Sequence, residues 1–315
     1  MLEAVSDAVI KADRNGEPGI WLHDVPQAVT SRTYTVDGLA LLSAHANGIF
    51  APGGVGKSLL ALFLAGRLSE QGVAVGFADS ELEGVDQRER LAQLFPDRLP
   101  PIRYVRCKRS VIHEVDRLRE ETAQHQIQFW FYDSVAFSSD GSVNDADVAT
   151  AYFRAVRAVG AGSLHIAHTN SSDRAEDRPF GSVFWFNGFR ALWYLKPASD
   201  STDPNRLTIG LFPKKRNIGG KGAVVGFDLQ FERDRIVVNA VDVRDVQELA
   251  EALPLWQRMK SALGRGPQTL ARLAEDLGAN VETLERTVRR KNGLFTRVPS
   301  DDGVTRIALV ERRAS

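Results

Sequence analysis

The chain has 315 residues, with 40 Lys+Arg balanced by 40 Asp+Glu and 43% hydrophobic residues. That length allows one core of roughly 200–250 residues plus a small second domain. The zero net charge excludes a global pull toward nucleic acid or membrane, so an anionic partner must be met by a local patch.

Residues 1–34 read as a polar leader or arm with one short strand candidate, Ile20–Val25, and no secretory pattern. From Thr35 to Val243, apolar strands alternate with helical patterns. In order, these are a strand over Asn47–Phe50, a helix over Lys57–Gln71, a strand over Val73–Ala78, and helices over Val85–Leu94 and Ser110–His125. A strand over Phe129–Tyr132, a helix over Asp145–Val159 and a strand over Ser163–Ala167 follow. Phe189–Leu195, Arg206–Phe212 and Ala223–Gln230 are later strands, some of them antiparallel. Alternation of this kind predicts an α/β fold with a mostly parallel, twisted sheet covered on both faces. Near Asp245–Pro254 the pattern changes to helices over Leu255–Leu263, Thr269–Leu277 and Val281–Lys291. Two strand candidates follow, Phe295–Pro299 and Thr305–Val310, joined by a turn at Ser300–Gly303. The expected domains are therefore 1–34, 35–249 and 250–315.

The lone cysteine, Cys107, follows a Tyr-Val-Arg stretch that reads as strand, and one cysteine cannot make an internal disulfide or a zinc cluster. No run approaches the roughly 20 apolar residues of a membrane span. A cytoplasmic protein without membrane residence is the expectation.

Residues 51–58 read Ala-Pro-Gly-Gly-Val-Gly-Lys-Ser between a strand and an amphipathic helix, the setting of a phosphate-binding loop. Pro52, Gly53, Gly54, Val55, Gly56, Lys57, Ser58 and Leu59 are the candidate nucleotide-binding residues. Glycines let successive backbone N–H groups converge on a phosphate, and the helix N-terminus adds its positive end. Lys57 is expected to reach the β- and γ-phosphates of ATP, and the Ser58 hydroxyl to ligate Mg²⁺. Ala51 stands where such loops have their first glycine.

Asp133 ends the apolar strand Phe129–Tyr132, where a carboxylate points into the ligand crevice and can hold Mg²⁺. The alternative is a residue that caps the following turn. Asp79-Ser80-Glu81 ends another strand; Glu81 is the first candidate for the general base and Asp79 the second, with a helix cap as the competing role. His168 ends a further strand and is a candidate sensor of the γ-phosphate.

Together these motifs resemble the RecA-like P-loop ATPase superfamily, and within it the hexameric replicative helicases of the RepA and DnaB type, over about Thr35 to Val243. The resemblance implies a RecA-like core, ATP and Mg²⁺ as cofactors, and roles for Glu81, Asp133 and His168 as above. A later stretch, Lys214-Lys215-Arg216-Asn217-Ile218-Gly219, is similar to the family's Lys-x-Arg-Asn-Gly, with Ile218 where glycine is common. By that resemblance Lys214 and Arg216 enter a neighbour's ATP site, which implies a ring, a homohexamer. Loops 134–144 and 170–182 then line a channel for single-stranded DNA, with Arg174 and Arg178 as contacts.

Residues 254–313 read as a winged helix, with Gly278 ending the second helix and Asn280 capping the third. Arg286, Arg289 and Arg290 on the third helix are candidate duplex-DNA contacts. Residues 250–315 hold 12 Lys+Arg against 8 Asp+Glu, which concentrates positive charge there. The expected function is a plasmid- or phage-type replicative DNA helicase. A recombination mediator or ATP-switched loading factor without unwinding activity, and a DNA-binding regulator with a vestigial nucleotide site, are the alternatives.

Overall fold

A computed structural model describes residues 21–24, 33–169, 178–198, 203–220, 222–299 and 303–310. By internal contacts the chain divides into Met1–Arg32 and Thr33–Ser315. In the first unit Leu22–Asp24 form an exposed 3₁₀ turn, not the middle of a strand as the sequence suggested. Three residues carrying His and Asp offer too little apolar surface to pair a strand.

The second unit opens with a hairpin, β1 (Thr33–Val36) and β2 (Leu39–Leu42), so Thr33 and Tyr34 already belong to it. Its two-residue turn has both Asp37 (φ 45°) and Gly38 (φ 85°) in the left-handed region, the Asp-Gly chemistry that such turns require. The central sheet has nine strands: β3 (Ala46–Ala51), β4 (Val75–Asp79), β5 (Ile102–Arg106), β6 (Phe129–Asp133), β7 (Gly162–His168), β8 (Ala191–Pro197), β9 (Arg206–Arg216), β10 (Val225–Phe231) and β11 (Ile236–Val241). They lie in the order β11-β10-β9-β8-β3-β7-β6-β4-β5. The strands from β8 to β5 are parallel, whereas β9, β10 and β11 continue the sheet antiparallel.

Among the described residues, six helices accompany this sheet up to residue 188: α1 (Lys57–Glu70), α2 (Gly84–Leu94), α3 (Val111–His125), α4 (Val135–Ser138), α5 (Ala146–Val159) and α6 (Val183–Gly188). Strand β6 shows why the sheet must be covered on both sides. Its period of two sends Phe129 and Phe131 into the core beneath α1, and Trp130 and Tyr132 into the core beneath α3 and α5. All five residues of β6 are buried, which is the pattern of a central parallel strand. The RecA-like α/β class expected from the sequence is what the sheet order and its helical layers show.

After the short α7 (Gln247–Glu251) come α8 (Leu255–Leu263), α9 (Leu270–Leu277) and α10 (Val281–Arg290), then the hairpin β12 (Phe295–Val298) and β13 (Arg306–Leu309). Met259, Leu263, Leu273, Leu284, Val288, Phe295 and Ile307 make a separate small core. Asn280 accepts a hydrogen bond from the Glu282 N–H at 2.8 Å, and Gly278 ends α9 in the left-handed region, as the sequence anticipated. Among the described residues, no helix is long and apolar enough to cross a membrane.

Candidate functional site

Strand register assembles the site. Ala51 at the end of β3 pairs with His168 at the end of β7, and Asp79 at the end of β4 pairs with Asp133 at the end of β6. The four strands therefore deliver the phosphate loop, both aspartates and the histidine to one pole of the sheet, the carboxyl end of its parallel strands.

The loop after β3 turns through Gly54 (φ 76°) and Gly56 (φ 83°), and Gly56 is the N-cap of α1. A Cβ at Gly53 or Gly54 would meet nothing within 4 Å, so their backbone faces open space, as a phosphate cradle must. At Gly56 a Cβ would lie 2.8 Å from the Leu207 side chain, so β9 packs over the loop and holds it closed from above. Lys57 is buried, and its Nζ donates to the carbonyls of Ala51 (3.1 Å) and Pro52 (2.5 Å). Burial brings its ammonium down to about 8, against the attraction of Asp133 and Glu81.

Asp133 is 1% exposed, and neither carboxylate oxygen has a hydrogen-bond partner of ordinary geometry. Burial pushes its carboxyl up to about 7; the neighbouring Ser58 hydroxyl and Lys57 pull the other way. Two unsatisfied, buried acceptor oxygens facing the lysine and hydroxyl of a phosphate loop suit a hard cation held between protein and phosphate.

Glu81 is exposed, and its Oε1 accepts from the Ser134 hydroxyl and lies 3.9 Å from His168 Nε2. The imidazole holds the Glu81 carboxyl below its usual range, aided by Ser134 and opposed by burial. Asp79 is differently engaged. Its Oδ1 accepts from the backbone N–H groups of Glu81 (2.8 Å) and Leu82 (2.9 Å), and its Oδ2 from Gln87 Nε2 (2.6 Å). With no exposed surface and both oxygens occupied, Asp79 shapes the turn that presents Glu81. Of the two candidate bases, only Glu81 retains access to the cleft.

That cleft, of about 480 Å³, is lined by Gly54, Gly56, Lys57, Ser58, Glu81 and His168, and at its other end by Leu82, Arg90, Gln93, Phe231 and Ile236. Sequence reasoning missed the second group. Phe231 and Ile236 close the β10–β11 hairpin, more than 170 residues from the phosphate loop, and nothing local marks them. In the structure Phe231 is 36% exposed, an aromatic at the end of a strand that its own fold leaves partly uncovered.

The remaining candidates lie elsewhere. Arg216 pairs with Ala191, which pairs with Asn47 at the start of β3. That is four residues below Ala51, or ~13 Å along the strands at ~3.3 Å per residue. Its guanidinium donates to Ala40 O (2.8 Å) and Ile218 O (3.0 Å). Lys214 sits beside the β-bulge of β8–β9, with Nζ 5.5 Å from the centre of the Tyr194 ring. Neither residue lines the cleft of its own chain. Arg178 is exposed, and Arg174 lies outside the described residues. On α10, Arg286 pairs with Glu282 at 3.1 Å, while Arg289 and Arg290 are exposed without an ion pair among the described residues.

The sheet order and the glycine-rich loop together define a RecA-like α/β fold with a P-loop at the carboxyl end of its parallel strands. No family model matches the chain, and no curated protein matches it. Among solved structures, it is similar to a DnaB-like replicative helicase described with its interactions with primase, at 14% identity and a TM-score of 0.48, over 61% of this chain. The chain spans 58% of that helicase's length. It is also similar to the flagellar accessory protein FlaH from Methanocaldococcus jannaschii, at 14% identity and a TM-score of 0.46, over 66% of this chain and 91% of that one. Likenesses this distant carry no weight for activity; the site geometry has to supply it.

Proposed function

We propose that the protein is a Mg²⁺-dependent ATPase that drives a motor on DNA, of the replicative-helicase kind, working as a ring of identical subunits. The observation that carries this reading is the meeting, in one cleft, of the phosphate loop, Lys57 and the Glu81–His168 pair, with the unpartnered, buried Asp133 carboxyl directly behind Lys57 and Ser58. The backbone N–H groups of residues 53–58 would grip the phosphates, and Lys57 would leave the Ala51 and Pro52 carbonyls to join them. Ser58 and Asp133 would hold Mg²⁺, which supplies neutralising charge to the phosphate oxygens. Glu81, kept ionised, would orient and deprotonate the attacking water, and His168 would report the γ-phosphate to the loop after β7. Phe231 and Arg90 would flank the nucleobase.

Transition-state charge needs further cations. Arg216 stands too far down its own sheet to supply them, which supports service to a neighbouring copy. The arrangement of α8–α10 and the β12–β13 hairpin is read as a winged helix, with Arg289 and Arg290 free to meet duplex DNA.

The test is ATP turnover with and without single-stranded DNA, beside a strand-displacement assay. Stimulated turnover with displacement is expected; no turnover in either condition would reject the reading. One observation favours a second reading, an ATP-driven switch without unwinding. The candidate channel loop 134–144 carries Asp140 and no Lys or Arg, so it offers no cation to a DNA backbone. DNA-stimulated turnover with no displacement would favour that alternative.

A further inference from the structure

The pole of the sheet opposite the nucleotide cleft carries a different chemistry. There the residues before β3, the last turn of α5, the start of β7 and the residue before β8 surround a cleft of about 740 Å³, roomier than the nucleotide cleft at about 480 Å³. His45 precedes β3, whose residues 46–51 lead up to the phosphate loop, so the two clefts stand ~20 Å apart along the strands at ~3.3 Å per residue.

Arg157, Arg190 and His45 line this second cleft, and no carboxylate does among the described residues. Arg157 is exposed and has no side-chain partner among the described residues. Arg190 donates to the Asn187 carbonyl at 3.2 Å. Lys215, from β9 next to β8, donates to Phe186 O (2.8 Å) and Asn187 O (3.1 Å). The counter-charge these cations find is thus the carbonyl end of α6, a helix of six residues whose dipole is weak. Arg190 makes protonation harder at both His45 and Lys215, adding to the larger effect of burial at each. Like charges gathered around a concavity focus a positive field, and an anion relieves it.

The shape and the donors narrow the anion. A recess of about 740 Å³ is of the size that takes a small molecule. Two guanidinium groups match the oxygens of a phosphoryl group in forked pairs, better than a point cation would. We propose that this cleft is a second anion site, independent of the phosphate loop, that takes the phosphoryl groups of a small phosphorylated ligand such as a nucleotide or a polyphosphate. Neither the resident ATP site nor the contacts with DNA require it, so its occupancy is a candidate input to the motor.

The experiment is calorimetric titration of the full chain with inorganic pyrophosphate in a Lys57→Ala background, where binding at the phosphate loop is weakened. Saturable binding is expected to survive Lys57→Ala and to weaken at least tenfold when Arg157→Ala and Arg190→Ala are added. Arg157→Ala alone keeps the test sharp, because its exposed side chain has no bond to lose, and it is expected to weaken binding several-fold in an otherwise unchanged protein. Competition by ADP and by tripolyphosphate then distinguishes the ligand's source. Equal competition assigns the site to phosphoryl groups alone, and preference for ADP assigns it to nucleotides. Binding that disappears with Lys57→Ala, or that ignores both arginine substitutions, would overturn the proposal. So would binding by a single-stranded oligonucleotide with none by pyrophosphate.

Discussion

The two poles of the central sheet are built from the same strands and present opposite chemistry. Where the parallel strands end, the carboxylates of Glu81 and Asp133 act on one buried lysine, Lys57. Where they begin, Arg157, Arg190, Lys215 and Arg216 gather without a carboxylate to pair them among the described residues. On the proposed function, the difference means that one copy would hold only part of what phosphoryl transfer needs: the loop, a carboxylate for the metal and a base, with Arg216 left for a neighbour.

The largest effect that can break this comparison is at Lys57. Lys57→Ala is expected to lower ATP turnover by about 10²–10³-fold, as loss of a charge that stabilises the transition state does. A steady-state phosphate-release assay checks it, and near-wild-type turnover would place hydrolysis elsewhere. Next is Glu81→Gln, expected to lower kcat by about 10²–10³-fold while nucleotide binding persists, the signature of a lost base. Asp79→Asn should behave differently. It removes buried acceptors from the turn, so it costs about 1–3 kcal/mol of stability and lowers turnover only through that. Comparing the two variants by thermal melting and by kcat separates base from scaffold.

Asp133 gives a pH test whose sign is fixed. Its folded carboxyl is raised to about 7, so the folded chain without ligand holds the proton more tightly than the unfolded chain. That contribution is present at acid pH and is lost as pH rises from about 4 through about 7. Above pH 7, Asp133→Asn without nucleotide is expected to be more stable than the native chain, by up to about 4 kcal/mol, and inactive. Urea unfolding at pH 5 and pH 8 checks this. A pH effect of opposite sign and comparable size lies in the interior. Burial drops His165 to about 3, between Tyr152 Oη and Ser163 Oγ at 2.8 Å each. The unfolded imidazole takes a proton near 6.5 that the folded one refuses. Stability should therefore fall as pH drops from about 6.5 toward 3, and a His165→Gln variant should show less of that fall.

Much of this was legible in the sequence, for local reasons. The central strands announce themselves because a doubly covered strand is apolar throughout, as Phe-Trp-Phe-Tyr is at 129–132. The phosphate loop is legible because its chemistry lies in consecutive residues. The β1–β2 hairpin was missed although Asp37-Gly38 marks it, and β11 was missed because Val237 and Val238 alternate poorly with the polar residues around them. The far wall of the cleft could not be read, since Arg90, Phe231 and Ile236 meet only through the sheet. The choice between Asp79 and Glu81 also needed three dimensions. Both end the same strand, and only hydrogen bonds across the turn show which carboxylate is already spent.

The division of the site between copies has one most direct measurement. Lys57→Ala and Arg216→Ala chains, each tested alone, are expected to be inactive. Co-assembled in equal amounts, they form some junctions in which the intact lysine of one copy meets the intact arginine of the next, about a quarter of them in a ring with random placement. Turnover should reappear at a comparable fraction of the wild-type rate. An Arg216→Ala protein that hydrolyses ATP normally, or a mixture as inactive as its components, would contradict a site shared between neighbours.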